Sequence, residues 1–567
     1  MRERTARVSR FSFGRGLYKP VAGEGAIPPH EAWGRQVIGD SAAGGKGPGS
    51  NENGLIISAD FGTSGVKIAA LDRSLSAIAT ATRRYPLSLP GPDRAEQEPE
   101  DWWSALREGI ADLAAQIPDL SARASALVFC AQMCGVIPVE LSGRPLRPAI
   151  VWLDKRAGSL SRAMNGGFPS LAGYRFDKLY TWTRIANGAP SHNGMDPPAK
   201  MLWLKQHEPE VWDAAARLLD VKDWLLHRAT GRFVTTADSA NLTWMMDTRP
   251  GREGWSPYLA GRLGIPLDRL PEIVDGTYTV GGLLPQAGTE LGLAASLPVI
   301  AGAGDVVATA IGSGATGDGE LHAYAGTSAW LSGFFPSRRI DIFHSYATIS
   351  SSVNYRPLLI ATQESAGSAF AWAARLFGGG ESGAARDDDA SLEALYAGIG
   401  PLRDSDPLFV PWLAGERVPV DDDRLRGVFT GLSVGHDRNA LLRSVLEGVA
   451  LNMRWALSKV ARQKGLKTGL PLPLVGGGAV NPHFAQMLAD ALKLQVVVRQ
   501  PRLAGVRGAG AIAAAGLGWY PSVEAAAATL TQGEALTYDP EGEGVARADR
   551  RAALLDRHRP KLISLYR

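Results

Sequence analysis

The sequence predicts an α/β protein built from two related domains, and three observations carry that reading. Gly-Thr-Ser occurs twice, in Asp60-Phe61-Gly62-Thr63-Ser64-Gly65 and in Tyr324-Ala325-Gly326-Thr327-Ser328, almost half a chain apart and each time between two β-forming runs. Strands alternate with helices in both halves, as in α/β domains. The chain of 567 residues is also longer than one hydrophobic core usually organises.

Residues 1–53 are rich in Gly, Pro and Arg, carry no sustained period, and are expected to be a disordered extension. Six basic residues and one acid in the first nineteen lack the apolar core of a secretory signal. Order is expected from Gly54. Leu55–Asp60 reads as a buried strand, the glycine turn follows, and 66–72 is the returning strand. Glu96-Gln97-Glu98-Pro99-Glu100-Asp101 opens an amphipathic helix to Ala115, with proline and acids in its first turn. Strand-like runs follow over 126–139 and 149–154, and the period over 199–231 is helical. A short strand over 297–304 runs into Asp305 and a helix of small residues to Gly312. The second half gives strands over 321–335, helices over 365–377 and 439–462, and the strand 472–475. That strand meets Gly476-Gly477-Gly478-Ala479, after which Asn481-Pro482 caps and starts a helix.

Composition narrows the function. Hydrophobic residues make up 45% and charged residues 21%, as in an ordinary globular protein. No run of about 18 apolar residues indicates a membrane span. Residues 1–53 hold eight Lys+Arg and five Asp+Glu, which leaves 52 of each sign in the remainder. That neutral body suggests no nucleic-acid surface. Cys130 and Cys134 would lie ~13 Å apart on a strand, too far for a disulfide, so a reduced, cytoplasmic protein is expected.

The glycine turns free backbone N–H groups and hydroxyls to cradle phosphate. Two copies, with a third glycine turn at 476–479, describe a nucleotide held between domains. Asp60 ends a strand beside the first turn, where a carboxylate can hold Mg²⁺ or simply stabilise an Asx turn. Asp305 ends another strand between glycines and a helix, accessible enough to act as base toward a substrate hydroxyl, or placed to cap the helix. His192, His207 and His483 show no metal spacing, and Asp421-Asp422-Asp423 reads as a solvated turn.

In order along 54–520, these pieces resemble the FGGY family of carbohydrate kinases, its xylulokinase branch most of all. The resemblance rests on the Asp60–Lys67 motif, Glu96-Gln97-Glu98-Pro99 with Trp102-Trp103, Gln132-Met133 and Trp152-Leu153-Asp154-Lys155-Arg156. It continues through Lys200-Met201-Leu202-Trp203, Leu219–Leu225, Asp238-Ser239-Ala240, Gly326-Thr327-Ser328, Leu413–Pro419 and Gly476–Ala479. It implies the duplicated, ribonuclease H-like fold of actin, Hsp70 and hexokinase, with a cleft between domains at 54–317 and 318–545 and a tail helix over 546–567. It implies ATP-dependent phosphorylation of a terminal hydroxyl of a small sugar, such as the ketopentose xylulose, by a homodimer using Mg²⁺. By position, Asp305 would be the general base and Asp60 the Mg²⁺ site. Thr63, Ser64, Lys67, Gly326, Thr327, Gly478 and Ala479 would hold the nucleotide. Gln132, Met133, Cys134, Trp152 and Val306, together with Asp305 itself, would line the sugar site.

Two positions depart from that branch: Cys134 stands where its members carry His, and Val306 where they carry Asn. Loss of two hydrogen-bonding groups leaves the sugar open, with another ketose, a polyol or a deoxy-sugar as alternatives. Two further readings stay open at this level, a chaperone-like nucleotide-binding module and a sugar-binding pseudokinase. Retention of both Asp60 and Asp305 weighs against the second.

Overall fold

A computed structural model describes residues 53–377 and 389–566. The expected extension over 1–53 falls, all but its last residue, outside the described range. Among the described residues no helix is long and apolar enough to cross a membrane.

Two sheets repeat one plan. In the first, Leu55–Phe61 and Gly65–Leu71 form an antiparallel hairpin joined by Ala77–Arg84, while Ala124–Ala131 and Pro298–Gly304 add in parallel on the other side. In the second, the hairpin His322–Ala325 and Ala329–Phe334 is joined by Pro357–Gln363, with Leu472–Val475 and Val496–Val498 in parallel beyond it. Hairpin, third antiparallel strand, then two parallel strands: this shared order makes the two Gly-Thr-Ser turns equivalent. Strands covered on both faces read as continuous apolar runs, which is why Leu55-Ile56-Ile57 and Leu474-Val475 were legible.

Helices cover the sheets where the periodicity places them. Pro99–Gln116 buries Trp102, Trp103, Leu106, Ile110 and Leu113, with Pro99 in its first turn followed by Glu100 and Asp101. Arg438–Val460 covers the second sheet, and Asn481 caps Pro482–Leu492 by accepting from the Phe484 amide at 3.1 Å. The terminal helix Gly542–Leu565 docks through Arg551, whose guanidinium donates to Glu447 Oε2 at 2.6 Å.

Three stretches differ from the sequence expectation. The apolar run 126–139 is not one strand: it stops at Ala131 and resumes at Ile137–Val139, because Cys134 takes a left-handed backbone at φ 65°. Residues 199–231 are not one helix. Pro209 starts a second helix, Arg217–Leu219 pairs as a strand, and Asp220 caps a third helix, Val221–Thr230. Only Ala149–Ile150 of the 149–154 run is strand, and the chain turns at Val151 to present Trp152.

One unexpected helix, Ala504–Gly516, lies in sequence between two strands of the second sheet, Val496–Val498 and Leu536–Tyr538, yet packs on the first. Ser58 Oγ donates to Val506 O at 2.7 Å and Arg507 Nε to Leu75 O at 3.1 Å. It crosses Asp305–Gly312 backbone against backbone: a Cβ on Gly508 would lie 1.8 Å from Ala308 O, and one on Gly312 would lie 1.8 Å from Ala504 O. Only glycine permits that approach. Gly508→Val therefore should lower the melting temperature by roughly 3–10 °C in a thermal melt, and an unchanged melt would refute the tight crossing.

Candidate active site

Strand register builds the centre of the site. Asp60 pairs with Cys130, and Cys130 with Ala303, so Asp60 and Asp305 emerge at the same end of three neighbouring parallel strands. Carboxyl ends of parallel strands are the usual ligand side of α/β sheets. Asp305 opens the helix Asp305–Gly312, and the Val306 amide donates to its Oδ1 at 2.8 Å. Just before it, the Gly304 amide donates to Asp238 Oδ2 at 2.7 Å. Met133 packs directly on Gly304, where a Cβ would lie 2.3 Å from its Sδ.

Burial shapes both carboxylates, and Asp60 acts on Asp305 as well. Recession from water and then the nearby Asp60 push Asp305 up to about 8. Asp60 is also raised by burial, an effect opposed by Lys67, its cross-strand partner, and by the Cys130 thiol, which donates to Asp60 Oδ1 at 3.2 Å. Among the described residues neither acid forms an ion pair.

A cavity of about 600 Å³ opens over Asp305. Met133, Cys134, Trp152 and Val306 border it from the first domain, and Ser328 and Trp330 border it from the second. Five of the six residues expected at a sugar site are thus brought together. Gln132 is the exception. Buried behind the wall, it donates from Nε2 to Gln97 Oε1 at 2.7 Å, while Gln97 Nε2 donates to Thr63 O at 2.8 Å. Trp152 Nε1 donates to Thr63 Oγ1 at 2.9 Å. Thr63 of the first turn is therefore wired to the cavity wall through both its carbonyl and its hydroxyl. Asp154 fixes that wall from behind, accepting from the Ala95 amide at 2.7 Å and from Arg156 Nη2 at 2.7 Å, and Arg156 also reaches Glu96 at 2.6 Å. The Glu96-Gln97 and Asp154–Arg156 motifs form one polar brace.

The remaining nucleotide candidates sit on turns at strand ends. Ser64 is exposed beside Thr63, and Lys67 lies on the returning strand. Tyr85 donates to Gly65 O at 3.1 Å and holds the first turn. Thr327 O accepts from Ser368 Oγ at 2.8 Å, and Gly326 O from the Gly367 amide at 2.6 Å, which seats the second turn on the helix Gly367–Phe377. Gly476, at φ 96°, lets the third turn touch the same strand end: a Cβ there would lie 2.4 Å from Ala325 O. Gly478 and the buried Ala479 follow on it.

Three charged residues at the cavity were not singled out from the sequence, Asp196, Asp341 and Glu364, and Arg417 entered only as part of the Leu413–Pro419 motif. Arg417 Nη2 pairs with Glu364 Oε1 at 2.7 Å. The three consecutive acids diverge, as adjacent carboxylates must. Asp421 borders the cavity, Asp422 is buried and paired with Arg424 at 2.9 Å, and Asp423 is exposed. The solvated-turn reading thus fails for Asp422, while Asp421 is exposed at the cavity edge. His192 also borders the cavity, its ring packed at a tilt against Tyr174. His207 Nδ1 donates to Trp203 O at 3.1 Å, and the ring stacks on Trp203. Burial holds the Cys134 thiol well above its usual range, so it is no nucleophile at neutral pH.

An acid whose folded pKa is raised loses stability as pH climbs from its unfolded value, near 4, through its folded value. Removing the charge in Asp305→Asn should therefore raise the melting temperature of the ligand-free protein more at pH 8 than at pH 5. The same variant should lose roughly 10²–10⁴-fold in turnover with ADP affinity nearly unchanged. A melting difference independent of pH would contradict the raised pKa.

Comparisons with known proteins follow the same division. The model of the FGGY family of carbohydrate kinases, N-terminal domain, matches residues 55–312, and that of the C-terminal domain matches residues 337–517. A xylulose kinase of Escherichia coli (strain K12) is 31% identical over 445 residues, covering 77% of this chain and 84% of the relative. A xylulose kinase of Bacillus subtilis (strain 168) is 29% identical over 495 residues, covering 86% and 93%. Among solved structures, a ligand-bound xylulose kinase from Lactobacillus acidophilus superposes with a TM-score of 0.77 at 24% identity, covering 90% of this chain and 99% of that one, a likeness of fold.

Proposed function

The chain belongs to the FGGY family of carbohydrate kinases, and we propose that it transfers the terminal phosphoryl group of ATP to a terminal hydroxyl of a neutral ketopentose such as xylulose. The observation that carries this reading is Asp305, set at a strand end on the floor of a cavity walled by Met133, Cys134 and Trp152.

Phosphoryl transfer needs alignment and charge neutralisation more than covalent help. Asp305 is suited to orient the acceptor hydroxyl and take its proton as the new oxygen–phosphorus bond forms. Val306 N–H holds one carboxylate oxygen in place for that step. Trp152 ties the sugar wall to Thr63, so sugar and phosphate positions share one rigid frame. Thr63, Ser64 and Lys67 on one side, and Gly326, Thr327, Gly478 and Ala479 on the other, are the groups we assign to the nucleotide.

Asp60 fits Mg²⁺. It is a recessed carboxylate without an ion-pair partner among the described residues, and no cluster of three or more His, Cys, Asp or Glu there forms a complete metal cage. A single carboxylate with water and phosphate oxygens suits this ion. Bound there, Mg²⁺ would neutralise charge on the phosphates.

The acceptor is decided by a panel of ketoses, polyols and aldonates, read by sugar-dependent ADP formation and product mass. A ketopentose should head the ranking, and an aldonate or glycerol at its head would overturn the assignment. With a thiol at 134 and an isopropyl group at 306, no dedicated donor is left unpaired when a facing hydroxyl is absent. Among deoxy analogues of the best acceptor, at least one should stay within roughly a hundredfold of it in kcat/KM. Losses of roughly 10⁴-fold for all of them would show a dedicated polar reader elsewhere.

A further inference from the structure

The functional reading leaves Lys200 unused, and its position is costly. It lies in the helix Pro197–His207 with its side chain fully buried, and among the described residues it forms no ion pair. Burial lowers its pKa to about 8. A charged ammonium in such a place is retained against a large desolvation penalty, which a methionine of similar length would avoid.

Its hydrogen bonds show what it does. Nζ donates to Cys134 O at 2.9 Å and to Val151 O at 2.9 Å. These carbonyls belong to the two segments that carry the sugar wall, immediately at Cys134 and immediately before Trp152. The peptide unit after Cys134 is gripped from its other side as well, since the Gly135 amide donates to Asp220 Oδ1 at 2.8 Å. A cation on the carbonyl and a carboxylate on the N–H pin one peptide plane. That plane follows a non-glycine residue at φ 65°, a strained backbone that survives only when its surroundings over-determine it. The room beside the amide is kept by glycine, because a Cβ at 135 would lie 2.8 Å from Asp220 Oδ1.

We infer that Lys200 is a positioning residue for the sugar subsite, fixing the Cys134 and Trp152 walls relative to each other by cross-linking their backbones, with Asp220 as its counterpart on the 134–135 peptide. The inference rests on the cavity being the sugar site. Lys200 touches neither turn assigned to the nucleotide, so its removal should separate the two substrates kinetically.

The test compares wild type, Lys200→Met and Lys200→Gln with the best acceptor of the substrate panel. Wild-type turnover of that acceptor bears on the functional reading, and only the variant-to-wild-type ratio bears on Lys200. Lys200→Met, which fills the space without donors, should raise the sugar KM roughly tenfold or more while the ATP KM and ADP affinity stay within about twofold. Lys200→Gln, shorter but with N–H donors, should fall between the two. An unchanged sugar KM, or sugar and ATP KM rising in parallel, would overturn the inference. If Lys200→Met does not fold, Lys200→Gln decides alone by the same split: a raised sugar KM with ATP KM steady supports it, and any other pattern refutes it.

Discussion

Two carboxylates recessed at the same end of neighbouring parallel strands set the terms for the rest of the molecule. Burial raises the cost of ionising both Asp60 and Asp305, Asp60 adds to that cost at Asp305, and among the described residues neither forms an ion pair with a cation. Such a pair destabilises the free protein unless its surroundings hold it rigidly. The Asp238 bond to Gly304, the Cys130 thiol on Asp60 and the Val306 amide on Asp305 supply that rigidity. Stability given up in this way at an active site is a familiar exchange for reactivity.

The helix Ala504–Gly516 extends this constraint from the site to the whole molecule. Gly505 lies against the Asp60 carboxylate, where a Cβ would come within 2.2 Å of Oδ2, and Gly508 lies against the helix that Asp305 opens. Both acids therefore rest on one element, and that element is supplied by sequence between two strands of the second sheet. Residues of this helix share a core with Phe334, Ile349 and Leu358 of the second sheet. The crossing thus joins the strand ends where the carboxylates lie to the second sheet. Domain closure around substrate, which excludes water in enzymes of this kind of chemistry, would act through this crossing.

Much of this was legible in the sequence, and the reasons are physical. Asp305 could be found because buried parallel strands read as unbroken apolar runs and Gly302-Ala303-Gly304 marks a strand end opening a helix. The duplicated turns were legible because the same local chemistry recurs between strands. Other features were hidden because they depend on distant partners. Gln132 sits in a motif expected to line the sugar site, but it is buried and its Nε2 is claimed by Gln97. The left-handed backbone of Cys134, which breaks an apparently continuous strand, is stabilised by Lys200 and Asp220, 66 and 85 residues away from their bonding partners. Asp421 looked like one of three equivalent surface acids, and only the folded loop separates it from Asp422 and Asp423. Helix Ala504–Gly516 has a composition of glycine and alanine without clear amphipathic period, since it is buried on nearly every side.

The central claim is geometric: a sugar hydroxyl meets Asp305 on the cavity floor while phosphate lies on the glycine turns. A crystal structure with the best acceptor and a non-hydrolysable ATP analogue tests this most directly. The account predicts a terminal hydroxyl oxygen at about 2.6–3.2 Å from the Asp305 carboxylate, facing the terminal phosphate, with the ring or chain against Trp152 and Met133. A sugar bound elsewhere, or a phosphate chain running away from both Gly-Thr-Ser turns, would contradict it.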